Sequence, residues 1–337
     1  MAITDYNSLV DHLKTAIAIE HATIAPYLCA LYSIPEGTNH EAQAIVRSVV
    51  MEEMLHMTLA ANVLTAVGGT PVIASADAVP RYPAYLPHSN KRFQVQLLPL
   101  GREALETFLL IEAPAPATAP PEGDDYNTLG QFYAAVEDGL KTCTKKYGER
   151  KLFSGKRAMQ VPPERWYYGG GGDSLEVHNL ETALRALEEI TEQGEGYEGG
   201  ITDGDGAFND VDELAHYYRF NELLRGRRYV ATDTQASGPT GDELPVDWSA
   251  IAPMAPNPRS SKYRGHRTIH QAMVTFNRTY TRLLKQLQSA FTGQPAALQD
   301  AVPIMYEMRY QAQALMRIPS PLFEGKTVGP AFEYDAS

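Results

Sequence analysis

Cysteine is nearly absent from this sequence: two occur among 337 residues, Cys29 and Cys143, with no CxxC spacing. Neither a disulfide framework nor a thiolate metal site is supported, and a reducing compartment fits. Long apolar runs are missing too. Nothing approaches the roughly 18 residues needed to span a bilayer, and Met1-Ala-Ile-Thr-Asp-Tyr6 lacks the basic and apolar regions of a signal peptide. The expectation is a cytoplasmic protein with no membrane contact. Basic clusters are scarce: Arg225-Gly-Arg-Arg228 is short and isolated, and 41 acidic against 29 basic residues leave a net charge of −12. Nucleic acid is therefore not an expected partner.

What the chain does have is helical periodicity. Over residues 5–32, Leu13, Ile17, Ile24, Tyr27 and Leu31 recur at steps of three and four, until Pro35-Glu-Gly37 breaks the pattern. A second helix is predicted from Thr38, where Thr38-Asn-His-Glu41 has capping-box form, to Gly68-Gly69. The short break implies an antiparallel hairpin. Residues 70–127 read as a long crossover, with a strand-like pattern at 93–97, a short helical stretch at 104–111 and a Pro/Ala run at 113–121. A helical segment at 129–144 and a Gly-rich loop at 169–172 follow. Residues 180–191 and 211–224, joined by a Gly/Asp-rich turn, read as a second hairpin, and two amphipathic helices at 268–291 and 296–316 close the chain. Hairpin, crossover and hairpin is the order of a ferritin-like four-helix bundle, here all-α with long crossover loops and two additional C-terminal helices. The expected division is 1–230 for the bundle and 231–337 for a C-terminal extension packed on it.

Carboxylates and imidazoles interrupt the apolar stripes at matched places. Glu20 lies between Ile17 and Ile24, where an uncompensated charge is costly and a cation is needed. Glu53 and His56 continue the stripe of Val49, Ala60 and Val63, and their i, i+3 spacing sets the two side chains together. The same Glu-x-x-His unit recurs as Glu213 and His216. Glu192-Gln-Gly-Glu195 offers a further carboxylate, with the choice between Glu192 and Glu195 open. One Glu-x-x-His arises easily by chance, whereas two in successive hairpins, each with a partner Glu, match a carboxylate-bridged dimetal site. Oxygen donors with one imidazole per metal suit iron, or manganese, better than a structural zinc. Glu213 has a rival role, because Asp210-Val-Asp-Glu213 also has capping-box form. Glu52 reads as solvated or as a neighbour behind the ligands. His21, about 100° around the helix from Glu20, reads as a supporting or interface residue.

The segments AIEHATIAPYLCALY (18–32), VMEEMLHMTLAANVL (50–64), EQGEG (192–196), ELAHYYRF (213–220) and VGPAFEY (328–334) resemble the ferritin-like domain of the iminophenyl-pyruvate dimer synthase family. The resemblance covers most of residues 3–335. Larger members act in violacein, rebeccamycin and staurosporine assembly, oxidatively coupling imines derived from aromatic amino acids. It implies a dimetal oxidoreductase that uses dioxygen or peroxide on a small aromatic substrate, with a biosynthetic enzyme or a second copy of the chain as partner. Arg81, Tyr82, Tyr85, Arg165 and Trp166 are the candidates to meet an aromatic carboxylate. Two other functions fit the same ligands: a non-catalytic metal-binding scaffold, and peroxide disproportionation of the manganese-catalase kind.

Overall fold

In the computed structural model, which describes residues 2–166, 172, 174–204 and 213–336, the side chain of Asp5 accepts from the backbone N–H groups of Asn7 and Ser8 at 3.0 and 3.1 Å. That cap starts α1 (Tyr6–Tyr32). Pro26 sits inside this helix and has no N–H to give to the carbonyl of Ala22, and the hydroxyl of Tyr82 takes that carbonyl instead, at 2.9 Å. The bond pins the crossover to α1. Helix α2 (His40–Ala66) follows. Its predicted capping box does not form: Thr38 bonds back to Pro35, and Asn39, in left-handed conformation, exchanges two side-chain bonds with the backbone of Asp247. The start of α2 is thus tied to the C-terminal half of the chain rather than capped locally.

The remaining helices are α3 (Arg102–Ile111), α4 (Leu129–Tyr147), the single turn α5 (Glu149–Leu152), α6 (Leu180–Glu195), α7 (His216–Arg225), α8 (Arg267–Ala290) and α9 (Ala297–Leu315). Helix α6 opens on a reciprocal capping box between Asn179 and Thr182. Among the described residues, extended pairing is confined to isolated bridges, and the strand-like 93–97 pattern reduces to one bridge between Ala84 and Val95. The fold is that of a ferritin-like all-α protein with extra helices. Within it α2 packs on α1 and α6, α4 packs on α1 and α6, and α7 packs on α3 and α2. Helix α3, expected as part of the crossover, and α4, expected as a separate helical segment after it, wall the centre alongside α1 and α2. Helix α7 begins at His216 rather than near residue 211, and residues 205–212, with the proposed cap at Asp210, lie outside the described residues.

Helices α8 and α9 pack on one another, and α9 reaches α1. His21, turned away from the centre, meets the Tyr280 hydroxyl of α8 at 2.8 Å. The main apolar core runs from Ile3 through α1 and α2 to Phe332, and a smaller cluster gathers Ile201, Leu214, Ala215, Tyr218 and Tyr229. Among the described residues no helix is long and apolar enough to cross a membrane.

Burial drives the His21 imidazole down to about 4, against a backbone contact at Ala78 that pulls it up. Between that value and the ordinary 6.5 the unfolded chain holds a proton that the folded one does not. Stability from this group is complete above pH 6.5 and is lost as pH falls toward 4. Urea unfolding should show that His21→Gln reduces the stability difference between pH 7 and pH 5 by about 1 to 2 kcal/mol. An unchanged difference would refute this assignment.

Candidate metal centre

Glu20 on α1 and Glu53 and His56 on α2 are each 2% exposed, as their stripes require. His56 Nδ1 stands 3.6 Å from Glu20 Oε2 and 3.6 Å from Glu53 Oε1. Across the centre, His216 at the first turn of α7 brings its Nδ1 to 3.0 Å from the same Glu53 Oε1. The two imidazoles stack with centroids 5.3 Å apart. Ligand-type atoms of Glu53, His56 and His216 all lie within 4.8 Å of one another.

The outer nitrogens decide what the inner ones present. His56 Nε2 faces Gln193 Oε1 at 2.9 Å, and Gln193 is oriented by giving its amide hydrogen to Glu189. His216 Nε2 faces Glu52 Oε2 at 2.8 Å. With each Nε2 donating outward, the neutral ring offers a lone pair at Nδ1. Both lone pairs point at carboxylate oxygens, and no aligned hydrogen bond reaches His216 Nδ1. Acceptors converging on acceptors in a buried space need a proton or a metal cation between them.

A third carboxylate was not anticipated. Glu112, just past the end of α3, places Oε2 3.6 Å from His216 Nδ1. It is held there by an aromatic cluster, in which Tyr27 of α1, Phe108 of α3 and Phe220 of α7 meet with centroids 4.5 to 5.1 Å apart. The signal was in the sequence: Leu105, Phe108 and Glu112 follow the same i, i+3, i+7 stripe that identified Glu20. Three hydroxyls steady the carboxylates from behind, Tyr133 donating to Glu20, Thr23 to Glu53 and Tyr27 to Glu112. Tyr133 of α4 was also missed, and Tyr27, read as core, is both core and donor.

The other candidates are placed differently. Glu213 is buried but precedes α7, in an extended segment whose carbonyl accepts from the Asp203 N–H at 2.9 Å. The second Glu-x-x-His is therefore not an i, i+3 pair on a helix. Glu195 lines the same small cavity as Glu20, Glu53, His56 and Glu112. Its oxygens take the N–H groups of Ala115 at 2.8 Å and of Gly130, in the first turn of α4, at 2.6 Å. Burial still pushes its carboxyl up to about 7. Glu192 is half-buried and does not line that cavity. Glu52, read as solvated or as a neighbour behind the ligands, takes the second place: it is fully buried behind His216 and pairs with the buried Arg219 at 2.8 Å, and that guanidinium also reaches Ser48.

These contacts set the charge balance. Burial would raise Glu52, but Arg219 and the bond from His216 hold it below the usual carboxylate range. Glu53 goes the other way, up to about 7, through burial and the charge of Glu112. Burial alone would lower both imidazoles, yet Glu112, Glu52 and Glu53 around His216, and Glu20 and Glu53 around His56, raise them. Among the described residues no lysine or arginine pairs with Glu20, Glu53 or Glu112. The donor set fits a hard or intermediate dication with oxygen and imidazole ligands.

The cavity at this centre holds only about 20 Å³. A larger one, of about 310 Å³, includes Arg81 and Tyr82 with Arg259 and Tyr334 in its lining, on the other side of α1. Arg165 is exposed and Trp166 half-buried elsewhere, so the predicted substrate cluster is divided.

A family model described as Ferritin-like matches residues 13–225, more than half of the chain. The chain is similar to a dichlorochromopyrrolate synthase of Lentzea aerocolonigenes, 27% identical over 99% of this chain and 36% of that protein. It is also similar to a 2-imino-3-(indol-3-yl)propanoate dimerase of Chromobacterium violaceum, 22% identical over 96% of this chain and 33% of that protein. Both relatives match the family that the sequence motifs resemble. This chain spans about a third of their length. A solved structure of a ferritin-like protein from Caulobacter vibrioides superposes with a TM-score of 0.62 at 19% identity, covering 99% of this chain and 100% of that one, which bears on the fold alone.

Two outcomes are expected. Elemental analysis of the purified chain should find that His56→Ala, His216→Ala and Glu112→Gln each lose a large part of the bound metal, with Glu213→Gln losing less than Glu112→Gln. Full metal content in both histidine variants would rule the centre out. Arg219→Met leaves Glu52 buried without its partner and should cost about 3 to 5 kcal/mol in denaturant unfolding, while Arg219→Met with Glu52→Met should recover most of it.

Proposed function

Because this chain belongs to the ferritin-like family, we propose that it holds two metal ions, iron ahead of manganese, and oxidises a small aromatic amino-acid-derived substrate in a biosynthetic pathway. Dioxygen or peroxide is the acceptor. The observation that carries this reading is the convergence of two inward imidazole lone pairs on Glu53, with Glu20 and Glu112 beside them. Glu20, Glu53 and His56 are the ligands of one half-site and His216 and Glu112 of the other, with Glu53 facing both. Glu195 and Glu213 remain as additional ligands, and Glu192 is the weakest of the original set. The bound metals would supply the one-electron chemistry that amino-acid side chains cannot.

The chain's own residues do the rest. Glu52 and Gln193 keep the imidazoles turned with Nδ1 inward. Tyr133, Thr23 and Tyr27 hold the carboxylates in place. The aliphatic walls of α1 and α2 exclude bulk water. The relatives' printed names describe the synthesis of dichlorochromopyrrolate and the dimerisation of an indole imino acid. Coupling two such imino acids removes two hydrogen atoms, which peroxide takes up to give two waters. An aromatic ring reaches the centre only if the wall at Gly130, Gly194 and Glu195 opens. The buried free thiols of Cys29 and Cys143 fit a cytoplasmic setting.

The small cavity favours one second reading. About 20 Å³ admits a water-sized species and no ring, so peroxide disproportionation fits the centre as it stands. Iron- or manganese-loaded protein should consume dioxygen or peroxide when the imine of tryptophan or phenylalanine is generated in situ, and this activity should vanish in His56→Ala. Oxygen evolution from peroxide alone would favour the second reading, and metal uptake without either turnover would leave a scaffold role.

A further inference from the structure

A second group of metal-ligand side chains lies away from the bundle centre. His12 on α1 and His88 and Asp124 on the crossover bring one ligand atom each to within 4.8 Å of the others. His12 and Glu20 are eight residues apart, so the two places are separated by about 12 Å along the helix axis. We propose that His12, His88 and Asp124 form a mononuclear site for one divalent d-block cation, with zinc as its best-fitting occupant.

The bonding of His12 carries the inference. Its Nδ1 faces the Ser8 carbonyl at 2.8 Å, and a carbonyl can only accept. Nδ1 therefore bears the hydrogen, and Nε2 presents a lone pair. The residue is 7% exposed, and Nε2 is buried with no hydrogen-bond partner. What stands opposite is another acceptor, Asp124 Oδ2 at 3.7 Å. That is too long for a hydrogen bond. It is close to the roughly 3.4 Å between two ligands on one tetrahedral zinc with bonds of about 2.1 Å. His88 Nδ1 lies within hydrogen-bond distance of the other oxygen of Asp124, at 2.5 Å, a contact that a shared cation would replace, and its ring meets that of His12 edge-on at 5.7 Å. Two imidazoles and a carboxylate from three places in the chain are a common zinc set.

The surroundings hold this geometry ready. Phe132 of α4 stacks on the His12 ring, fixing its plane. The two crossover segments are tied together by Asp125 N–H to the His88 carbonyl at 2.7 Å, by Asn90 N–H to Tyr126 at 3.2 Å, and by the Tyr126 hydroxyl to Pro87 at 2.8 Å. The His88 and Asp124 side chains are 44% and 37% exposed, leaving one side open to solvent. Such a site keeps a position for water, and it would clamp the crossover onto the start of α1, beside the helix that supplies Tyr133 to the bundle centre.

The test is a titration of the chelator-treated full chain with zinc, and with cobalt as an optical probe. His88→Ala and Asp124→Asn, both on the exposed crossover, should lose one class of zinc binding by at least about tenfold, the loss that removing even an outer partner of a ligand causes. They should also lose the visible bands of tetrahedral cobalt, while His56→Ala keeps both. Zinc should raise the melting temperature of His56→Ala but not of His56→Ala with His88→Ala. Unchanged stoichiometry and affinity in both crossover variants would overturn the proposal and leave an ordinary hydrogen-bonded cluster. Because these variants leave the buried His12 in place, misfolding does not obscure the result.

Discussion

Everything at the centre of this molecule follows from the cost of gathering carboxylates where water cannot reach them. Glu20, Glu53 and Glu112 come from three different helices and are 2 to 3% exposed. Their mutual repulsion would drive the helices apart or force protons onto them, and burial, with the charges of Glu112 and Glu20 added, pushes Glu53 up to about 7. Among the described residues the structure answers it without placing a lysine or arginine beside them. It supplies imidazoles with lone pairs turned inward and hydroxyl donors turned from outside. Such a cage is frustrated when empty of charge and satisfied when a dication sits in it.

The Arg219 guanidinium makes the same point from the other side. Arg219 is fully buried, yet it is committed to Glu52 and Ser48 and steps back from the inner carboxylates. Glu52 in turn shares its Oε2 between Arg219 and His216. Adjacent residues on α2 therefore have opposite duties: Glu53 faces the imidazoles, and Glu52, about 100° around the helix, anchors the back of one of them.

The two long helices and the inward placement of Glu20, Glu53 and His56 were legible because an unbroken 3.6-residue period shows which side chains face the core. Glu112 obeyed the same rule but ended a short helix against a Pro/Ala run, so its stripe looked too brief to count. Glu52 could not be read locally, since what buries it is α7, a partner 167 residues away in the chain at Arg219. The second Glu-x-x-His misled for a related reason. Spacing of three implies one face only inside a helix, and Glu213 stands ahead of α7, beside a Gly/Asp-rich run whose period says nothing. His216 reaches the centre as the first residue of its helix, where Glu53 and Glu112 both approach its Nδ1. Periodicity identifies residues that share an element, and it is blind to partners that meet across elements.

The C-terminal helices then have a physical purpose that the bundle alone does not explain. A surface helix needs one apolar stripe, but α1 is buried on nearly every face. Glu20 looks into the cage, His21 looks to Tyr280 of α8, and the carbonyl of Ala22, freed by Pro26, is taken by Tyr82 of the crossover. Without α8, α9 and the crossover, a neutral imidazole and an orphaned carbonyl would face water on a helix whose other side carries buried charge. Enclosing α1 on all sides makes it rigid, and rigidity is what a cage of like charges requires, because a helix free to tilt would relieve the repulsion by opening instead of by binding a cation.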